Sequence, residues 1–264
     1  MGERVLALLL SRGHHVRALV RTERQAEALR GIGAEAVIGD LRGDVEWSAD
    51  GCDAAVFAAG ARHRAELGAV DAAGAAKFAE AAYRYEHGRF VLCSALGADR
   101  HARATGGVGE FLAAKHHAEL RLARLDMPWT ILRFALLTEA PGRGRIETSA
   151  RHNPARLNRD DAALTVVEAL ERPHLAGRAI PIVDGDRTVA DALDAIPPRP
   201  APPPVPAPTT RAVPLGVAQS DNPPDAADML APDATPLDAD VEWEGDGPVP
   251  VEPVGNDDPA PGIP

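Results

Sequence analysis

The first twenty-one residues carry the hydrophobic pattern of a helix followed by a strand. Val5, Leu6 and residues 8–10 form an apolar run that suits one face of a helix. Gly13 comes directly after this run, where glycine can end a helix in the left-handed conformation without strain. Residues 15–20 carry the alternating pattern of a strand that contains β-branched residues and ends at Arg21. The pattern therefore predicts a helix, a turn and a strand within residues 1–21.

Strand-like and helix-like segments alternate along most of the remaining chain. The predicted helices are 22–30, with Thr22 as its N-cap, 70–82, 110–125 and 159–170; the predicted strands are 35–38, 54–59, 89–94, 129–132 and 179–183. Residues 95–109 form a looser segment, in which the glycines at 106, 107 and 109 are typical of a loop. Strands alternating with helices at this spacing predict an α/β fold with a Rossmann-like, doubly wound parallel sheet and helices on both faces.

The opening helix and strand correspond to the second and third elements of a nucleotide-binding βαβ unit. The first strand and most of its glycine-rich turn are absent from the sequence, and Gly2 stands where the last glycine of that motif would stand. We therefore expect a fold that begins one strand late. Either the start is assigned late in a longer natural protein, which the intact pattern downstream favours, or the chain is a degraded or repurposed copy.

Charge and proline divide the chain into two regions. The protein has 264 residues and a net charge of −11. Residues 197–264 contain twelve acidic and two basic residues together with nineteen of the 24 prolines, and they lack hydrophobic periodicity. We therefore predict one Rossmann-like domain over residues 1–196 and a disordered acidic tail over residues 197–264.

Composition also argues against several functional classes. Cys52 and Cys93 stand in apolar surroundings without metal-type spacing, which favours a reduced, cytoplasmic protein without disulfides. No apolar run approaches membrane-spanning length. A nearly neutral body with an acidic tail lacks the basic surface that nucleic acid requires. The adjacent pairs His14–His15 and 116–117 cannot chelate, so no metal site is predicted.

Seven segments, in order and at consistent spacing, resemble the atypical short-chain dehydrogenase/reductases, nearest to the NmrA-like and biliverdin-reductase-B-like NAD(P)H-binding branch. The segments are RGHHVRALVR (12–21), GDL (39–41), FAAG (57–60), the strand ending in Cys93–Ser94, F-x-x-x-K (111–115), WTILR (129–133) and NRDDAA (158–163). The resemblance extends from Gly2 to about Ile196. It implies a dinucleotide cofactor and an oxidoreductase-like activity.

Arg21 lies where the adenosine ribose of the cofactor is expected, at the end of the second strand of the motif. A guanidinium there can hold a 2′-phosphate, whereas an acid would bind the 2′-hydroxyl, so Arg21 favours NADP with NAD as the alternative. By the resemblance, Asp40 and Leu41 flank the adenine ring. An exposed arginine and a simple strand-end turn remain the alternative readings of these residues.

Small residues are expected to line the path of the cofactor along the next strand. Ala58, Ala59 and Gly60 would let the cofactor approach the backbone closely, as would Gly2 at the start of the first helix. The alternative is that these residues serve only close packing of a helix on the sheet.

The reaction centre departs from the pattern of the family. The resemblance implies a Tyr-x-x-x-Lys pair on one helix face, with a serine from the preceding strand that polarises a carbonyl. Ser94 and Lys115 are present as candidate catalytic residues, and Lys115 would also hold the nicotinamide ribose. The tyrosine position, however, is occupied by Phe111, which has no proton to transfer.

Other residues are poorly placed to replace the tyrosine. Tyr83 and Tyr85 precede a strand and therefore lie at the sheet end opposite the ligand crevice. His116 neighbours Lys115 but points about 100° away around the helix. His101 and Asp99, in the loop above the strand, remain as substitutes. Hydride transfer to a flavin- or quinone-like acceptor needs no tyrosine if solvent supplies the proton.

Two functional hypotheses follow. The first is an NADP(H)-binding oxidoreductase-like protein, whose partners are a dinucleotide and a small molecule that the sequence does not name. The second is a non-catalytic nucleotide-sensing protein like the NmrA-like regulators, or an inactive truncated copy. Residues 136–158 are expected to form the wall of the substrate site.

Overall fold

The computed structural model describes residues 1–149 and 156–199. Within these ranges the helices are α1 (Gly2–Ser11), α2 (Glu23–Arg30), α3 (Ala75–Arg84), α4 (Gly106–Leu122), α5 (Arg159–Leu170) and α6 (Val189–Asp194). The strands are β1 (Arg17–Val20), β2 (Glu35–Ile38), β3 (Ala54–Phe57), β4 (Arg89–Ala95), β5 (Trp129–Phe134), β6 (Leu136–Thr138), β7 (Arg145–Glu147), β8 (Arg156–Asn158), β9 (Arg178–Asp184) and β10 (Arg187–Thr188). The predicted tail lies outside the described residues except for its first three positions.

The central sheet has six strands in the order β10-β7-β9-β5-β4-β3. Strands β3, β4, β5 and β9 run parallel to one another, whereas β7 and β10 are antiparallel additions at one edge. Strands β1 and β2 form a separate parallel pair, and β6 pairs with β8. The α/β, Rossmann-like fold is confirmed, but the sheet is mixed at its edge rather than wholly parallel.

Helix α1 ends where the sequence predicts, and strand β1 begins at Arg17, two residues after its predicted start. Val5 and Leu6 are the buried side chains of α1, and the helix packs against α5. Gly13 adopts a φ of +82°, a conformation that side-chain-bearing residues rarely take. The chain then turns into β1, so the predicted helix, turn and strand are confirmed.

Helix α2 connects the two strands of the small sheet. Thr22 caps the helix, because its side chain accepts a hydrogen bond from the backbone N–H of Gln25. The strands β1 and β2 end level with each other, and the N–H of Gly39 donates to the carbonyl of Val20 at 2.8 Å. Residues 21 and 40, which follow these strand ends, are thereby brought to the same edge of the small sheet.

Two hydrophobic clusters cover the two faces of the central sheet. One joins the strands to α1, α5 and α6 and includes Val5, Leu132, Val166 and Ile182. The other joins β3 and β4 to α3 and α4 around Phe90. Helices on both faces confirm the doubly wound arrangement that the alternation of elements predicted.

The segment before α4 differs from its prediction as a loose loop. A 3-10 helix covers Ala98–Arg103, and α4 begins at Gly106, four residues before the predicted start. The glycines there belong to the first turn of the helix. A Cβ at Gly109 would lie 2.6 Å from the carbonyl oxygen of Ala104, so the close return of the chain requires glycine at this position.

The predicted substrate-wall segment, residues 136–158, is only partly a loop. It contains the short strands β6, β7 and β8, while residues 150–155 lie outside the described part of the chain. Asp161 stabilises the segment, because its carboxylate accepts hydrogen bonds from the backbone N–H groups of Arg143 and Gly144. Among the residues that the structure describes, no helix is both long and apolar enough to cross a membrane.

Candidate functional site

Arg21 and Asp40 follow the level ends of β1 and β2 and so lie at the same edge of the small sheet. Arg42, which the sequence analysis missed, forms several hydrogen bonds to the Asp40 carboxylate through its side chain and backbone N–H, the shortest at 2.6 Å. These bonds, aided by the charge of Arg21, lower the pKa of Asp40 to about 2. The signal for this pair in the sequence was an arginine two residues after an aspartate at the end of a strand.

Leu41 is half-buried and packs toward the central sheet. A Cβ at Gly74 would lie 3.1 Å from the Cβ of Leu41, so the absence of a side chain at Gly74 allows the two segments to meet. Leu41 also packs against the hydrophobic cluster around Phe90. Only the remaining half of its surface is available as an apolar wall for a ligand.

The small residues predicted to approach the cofactor meet between α1 and β3. A Cβ at Gly2 would lie 4.0 Å from the Cβ of Ala58, which places the start of α1 against the end of β3. Ala59 and Gly60 follow and are exposed. The fold thus brings together four of the predicted cofactor residues at one sheet edge, with backbone open to close approach.

Lys115 forms a buried ion pair with Asp71, a residue that the sequence analysis missed. Its Nζ lies 2.7 Å from Oδ1 of Asp71, which is fully buried, and 3.5 Å from the carbonyl oxygens of Ala59 and Cys93. The other oxygen of Asp71 accepts the N–H of Ala61 at 2.7 Å. Asp71 therefore fixes both the lysine and the loop after β3.

A π-helical turn over Gly68–Gly74 carries Asp71 into this position. Turns of this kind are rare, and those that proteins do contain are frequently found at functional sites. The signal in the sequence was Asp71 as the single charged residue of the segment 68–74, since a buried carboxylate requires a partner. Its partner comes from α4, about forty residues along the chain.

Phe111 lies on the same face of α4 as Lys115, as the four-residue spacing predicts. The centre of its ring is 5.7 Å from Nζ of Lys115, a distance that permits a cation–π interaction. The ring therefore occupies the tyrosine position as an apolar neighbour of the ammonium group. It leaves that position without a proton donor.

Ser94 is buried, and its hydroxyl donates a hydrogen bond to Oε1 of Glu119 at 2.6 Å. Glu119 also accepts two hydrogen bonds from Arg133, at 2.9 and 2.7 Å, and this pairing raises the pKa of the arginine. Arg133 in turn lies 3.2 Å from Asp99. Ser94 thus belongs to a network with Glu119 rather than to the contacts of Lys115, and its proton is already engaged.

The residues considered as replacements for the missing tyrosine lie in different parts of the fold. Tyr83 and Tyr85 are exposed at the C-terminal end of α3, at the sheet end opposite the crevice, as expected. His101 lies in the 3-10 helix before α4, and its ring packs against that of His116. The two histidines therefore come together beside the Ser94 network.

The two cysteines differ in their surroundings. Cys93 is buried in the sheet, and desolvation raises the pKa of its thiol to about 12. Cys52 is only half-buried and lies beside the Arg17 guanidinium, so its surroundings are less apolar than the sequence suggested.

We expect one thiol to react with Ellman's reagent at pH 8 in the native protein, because a buried thiol that stays protonated is a poor nucleophile. Both thiols should react in denaturant. The Cys52→Ser variant assigns the reactive group: it should show no rapid reaction before unfolding. A rapid reaction in that variant would mean that Cys93 is accessible.

Comparisons with known proteins identify the family and the fold of the chain. A model of a protein family described as NAD(P)H-binding matches residues 1–173. The chain is 34% identical over 200 residues to the uncharacterized sugar epimerase YhfK of Bacillus subtilis, covering 73% of this chain and 94% of the relative. It is 27% identical over 195 residues to the UPF0659 protein YMR090W of Saccharomyces cerevisiae, covering 68% and 86%. The crystal structure of the oxidoreductase ylbE of Lactococcus lactis superposes with a TM-score of 0.67 at 26% identity, covering 74% and 91%.

Proposed function

The chain belongs to the NAD(P)H-binding family of atypical short-chain dehydrogenase/reductases, and from this we propose an oxidoreductase that prefers NADP(H) and works without a catalytic tyrosine. In this proposal the adenosine half of the cofactor lies beside Arg21 and Asp40, and the nicotinamide half beside Lys115. The bound dinucleotide supplies or accepts the hydride. The protein residues bind it, orient it and deliver the proton.

The observation that carries the preference for NADP is the pairing of Asp40 with Arg42. Because the Asp40 carboxylate is engaged by Arg42, it is a poor acceptor for the 2′-hydroxyl of NAD. Arg21, by contrast, is exposed, and its guanidinium forms no ion pair with another side chain within residues 1–149 and 156–199. A free guanidinium at a strand end can bind a 2′-phosphate with two parallel hydrogen bonds.

Titration with each cofactor tests this preference. We expect NADPH to bind more tightly than NADH, and the Arg21→Ala variant to weaken NADPH binding about 10- to 100-fold, the worth of one charge-assisted contact. Binding of NADH should change little. The measurement is nicotinamide fluorescence, followed together with thermal stability.

Arg84→Ala provides the matched control, since Arg84 is exposed at the C-terminal end of α3. Within the described residues, its only ion pair is with Glu46. This variant should bind both cofactors normally. Equal weakening of NADPH and NADH in Arg21→Ala would contradict the assignment of the 2′-phosphate to Arg21. Absence of binding of either cofactor would overturn the proposed function.

Lys115 is proposed to hold the nicotinamide ribose from a prearranged position. The Asp71 carboxylate and two backbone carbonyls surround its ammonium group. Such a lysine binds ribose hydroxyls without first being ordered, and its charge is balanced without a tyrosine. Flavin- or quinone-like acceptors suit this centre, since their reduced forms do not require a tyrosine as proton donor.

A further inference from the structure

Arg42 holds the carboxylate of Asp40 with both its backbone and its side chain. Its backbone N–H donates to Oδ1 of Asp40 at 2.9 Å. Nε of its guanidinium lies 3.1 and 3.0 Å from the two carboxylate oxygens, and Nη2 donates to Oδ2 at 2.6 Å. A guanidinium that binds a carboxylate through more than one N–H forms one of the strongest pairs available at a protein surface. Both oxygens of Asp40 are therefore occupied by Arg42.

Two further charged side chains are linked to this pair. Glu66, in the 3-10 turn Arg64–Glu66 after β3, accepts a hydrogen bond from Nη1 of Arg42 at 3.5 Å. Arg21 follows β1 at the same edge as Asp40, and its positive charge contributes to the low pKa of that carboxyl. The two acids and the two bases sum to a charge of zero. Without Arg42 the same group would carry a charge of −1.

This charge balance bears on the choice between the two dinucleotides. The 2′-phosphate of NADP carries about two negative charges near neutral pH, and in the proposed complex it lies beside Arg21. A bare carboxylate at Asp40 would repel that phosphate. The 2′-hydroxyl of NAD is neutral, and an unpaired carboxylate is a good acceptor for it. Asp40 therefore opposes NADP unless another residue neutralises it.

We infer that Arg42 determines the cofactor preference by neutralising Asp40, which allows an edge that carries an acid to accept the 2′-phosphate of NADP. The inference rests on the proposed oxidoreductase function and on the position of the phosphate beside Arg21. Arg21 contacts the phosphate, whereas Arg42 acts through Asp40 and is a specificity-determining residue. The preference is thus governed by two arginines, one after each strand of the small sheet.

The first test needs no cofactor. The hydrogen bonds from the Arg42 side chain are the main cause of the low pKa of Asp40, about 2. The carboxyl ¹³C resonance of Asp40, assigned with Asp40→Asn, should therefore stay constant between pH 7 and pH 4 in the unmodified protein. In Arg42→Ala the carboxyl should be partly protonated at pH 4, close to the ordinary aspartate pKa of about 3.9. Identical titrations in the two proteins would overturn the inference.

The second test compares the binding of NADPH and NADH. Arg42→Ala keeps the backbone N–H that orients Asp40 but loses the guanidinium. The side chains of Asp40 and Arg42 are 35% and 52% exposed, so solvent screens part of the repulsion. We expect NADPH to bind about 10-fold more weakly to this variant. NADH should bind about 5-fold more tightly, because the released carboxylate can accept its 2′-hydroxyl. Nicotinamide fluorescence measures both affinities.

The double variant Asp40→Asn/Arg42→Ala separates neutralisation from direct contact. It removes one acid and one base, so the charge sum of the group returns to zero. NADPH should then bind as it does to the unmodified protein, and Asp40→Asn alone should bind NADPH at least as tightly. A double variant that binds NADPH as weakly as Arg42→Ala would mean that Arg42 contacts the phosphate itself, which would overturn the inference.

A control and the remaining outcomes distinguish this inference from the proposed function. Arg84→Ala also removes an exposed arginine from an ion pair with one acid, and it should leave both affinities unchanged. Unchanged affinities in Arg42→Ala, with normal NADPH binding by the unmodified protein, would overturn the role of Arg42 alone. Failure of the unmodified protein to bind either dinucleotide would overturn the proposed function and, with it, the role of Arg42.

Discussion

The Asp71→Asn variant is expected to lose about 3 kcal/mol of unfolding free energy, because it leaves the ammonium group of Lys115 buried without a counter-charge. Both side chains are more than nine-tenths buried, and the amide that replaces the carboxylate cannot balance the charge. The hydrogen bond from Ala61 would also weaken. For a domain of this size, the loss corresponds to a fall of about 6–12 °C in the melting midpoint.

The double variant Asp71→Asn/Lys115→Met makes this prediction specific. With the charge removed from both positions, most of the stability should return, since a buried pair can be replaced by neutral groups at little cost. Urea unfolding of the four proteins gives the coupling free energy. Asp53→Asn, an exposed aspartate whose side chain forms no hydrogen bond in the described residues, is the control. A stability of Asp71→Asn equal to that of this control would contradict the ion pair.

The second large effect is expected at Glu119. Replacing it by alanine removes the acceptor of three hydrogen bonds and leaves the Ser94 hydroxyl and the half-buried Arg133 guanidinium without that partner. We expect a loss of about 3 kcal/mol, moderated because Arg133 keeps its contact with Asp99. Urea unfolding measures the loss, and the cycle with Arg133→Met should give a coupling of about 2 kcal/mol.

Glu110→Ala is the matched control for Glu119, because it lies on the same helix and also pairs with an arginine, Arg64. That pair is exposed at the surface, so water screens it and little stability should be lost. Equal effects of the two substitutions would mean that burial does not distinguish the two pairs. A larger loss at Glu119 would establish the network as part of the core.

Elements governed by local chemistry were predictable from the sequence. The end of α1 at Gly13 and the cap of α2 at Thr22 depend on one residue each, and both were confirmed. The parallel strands β3, β4, β5 and β9 are apolar runs between helices, whose order along the chain restricts them to a few topologies. Arg21 and Asp40 lie at one edge because β1 and β2 are parallel neighbours that end level with each other.

Features governed by tertiary contact were not predictable in the same way. The helical start at Gly106 contradicts the loop character of three glycines in four residues, and it depends on packing against Ala104. Lys115 pairs with Asp71, and Ser94 bonds to Glu119. These partners lie far away along the chain or at positions that no sequence motif identifies. The two- and three-residue strands are too short to show a hydrophobic period.

Because β1 and β2 are separate from the six-stranded sheet, the cofactor of the proposed complex would bridge two sheets. Arg21 stands on the small sheet and Lys115 beside the large one, and no backbone ladder joins the two sheets within the described residues. The two sheets nevertheless belong to one compact unit, held together by side-chain packing such as that of Leu41 against Gly74. The grip on the cofactor then depends on this packing between the sheets as well as on the contacts that each sheet makes.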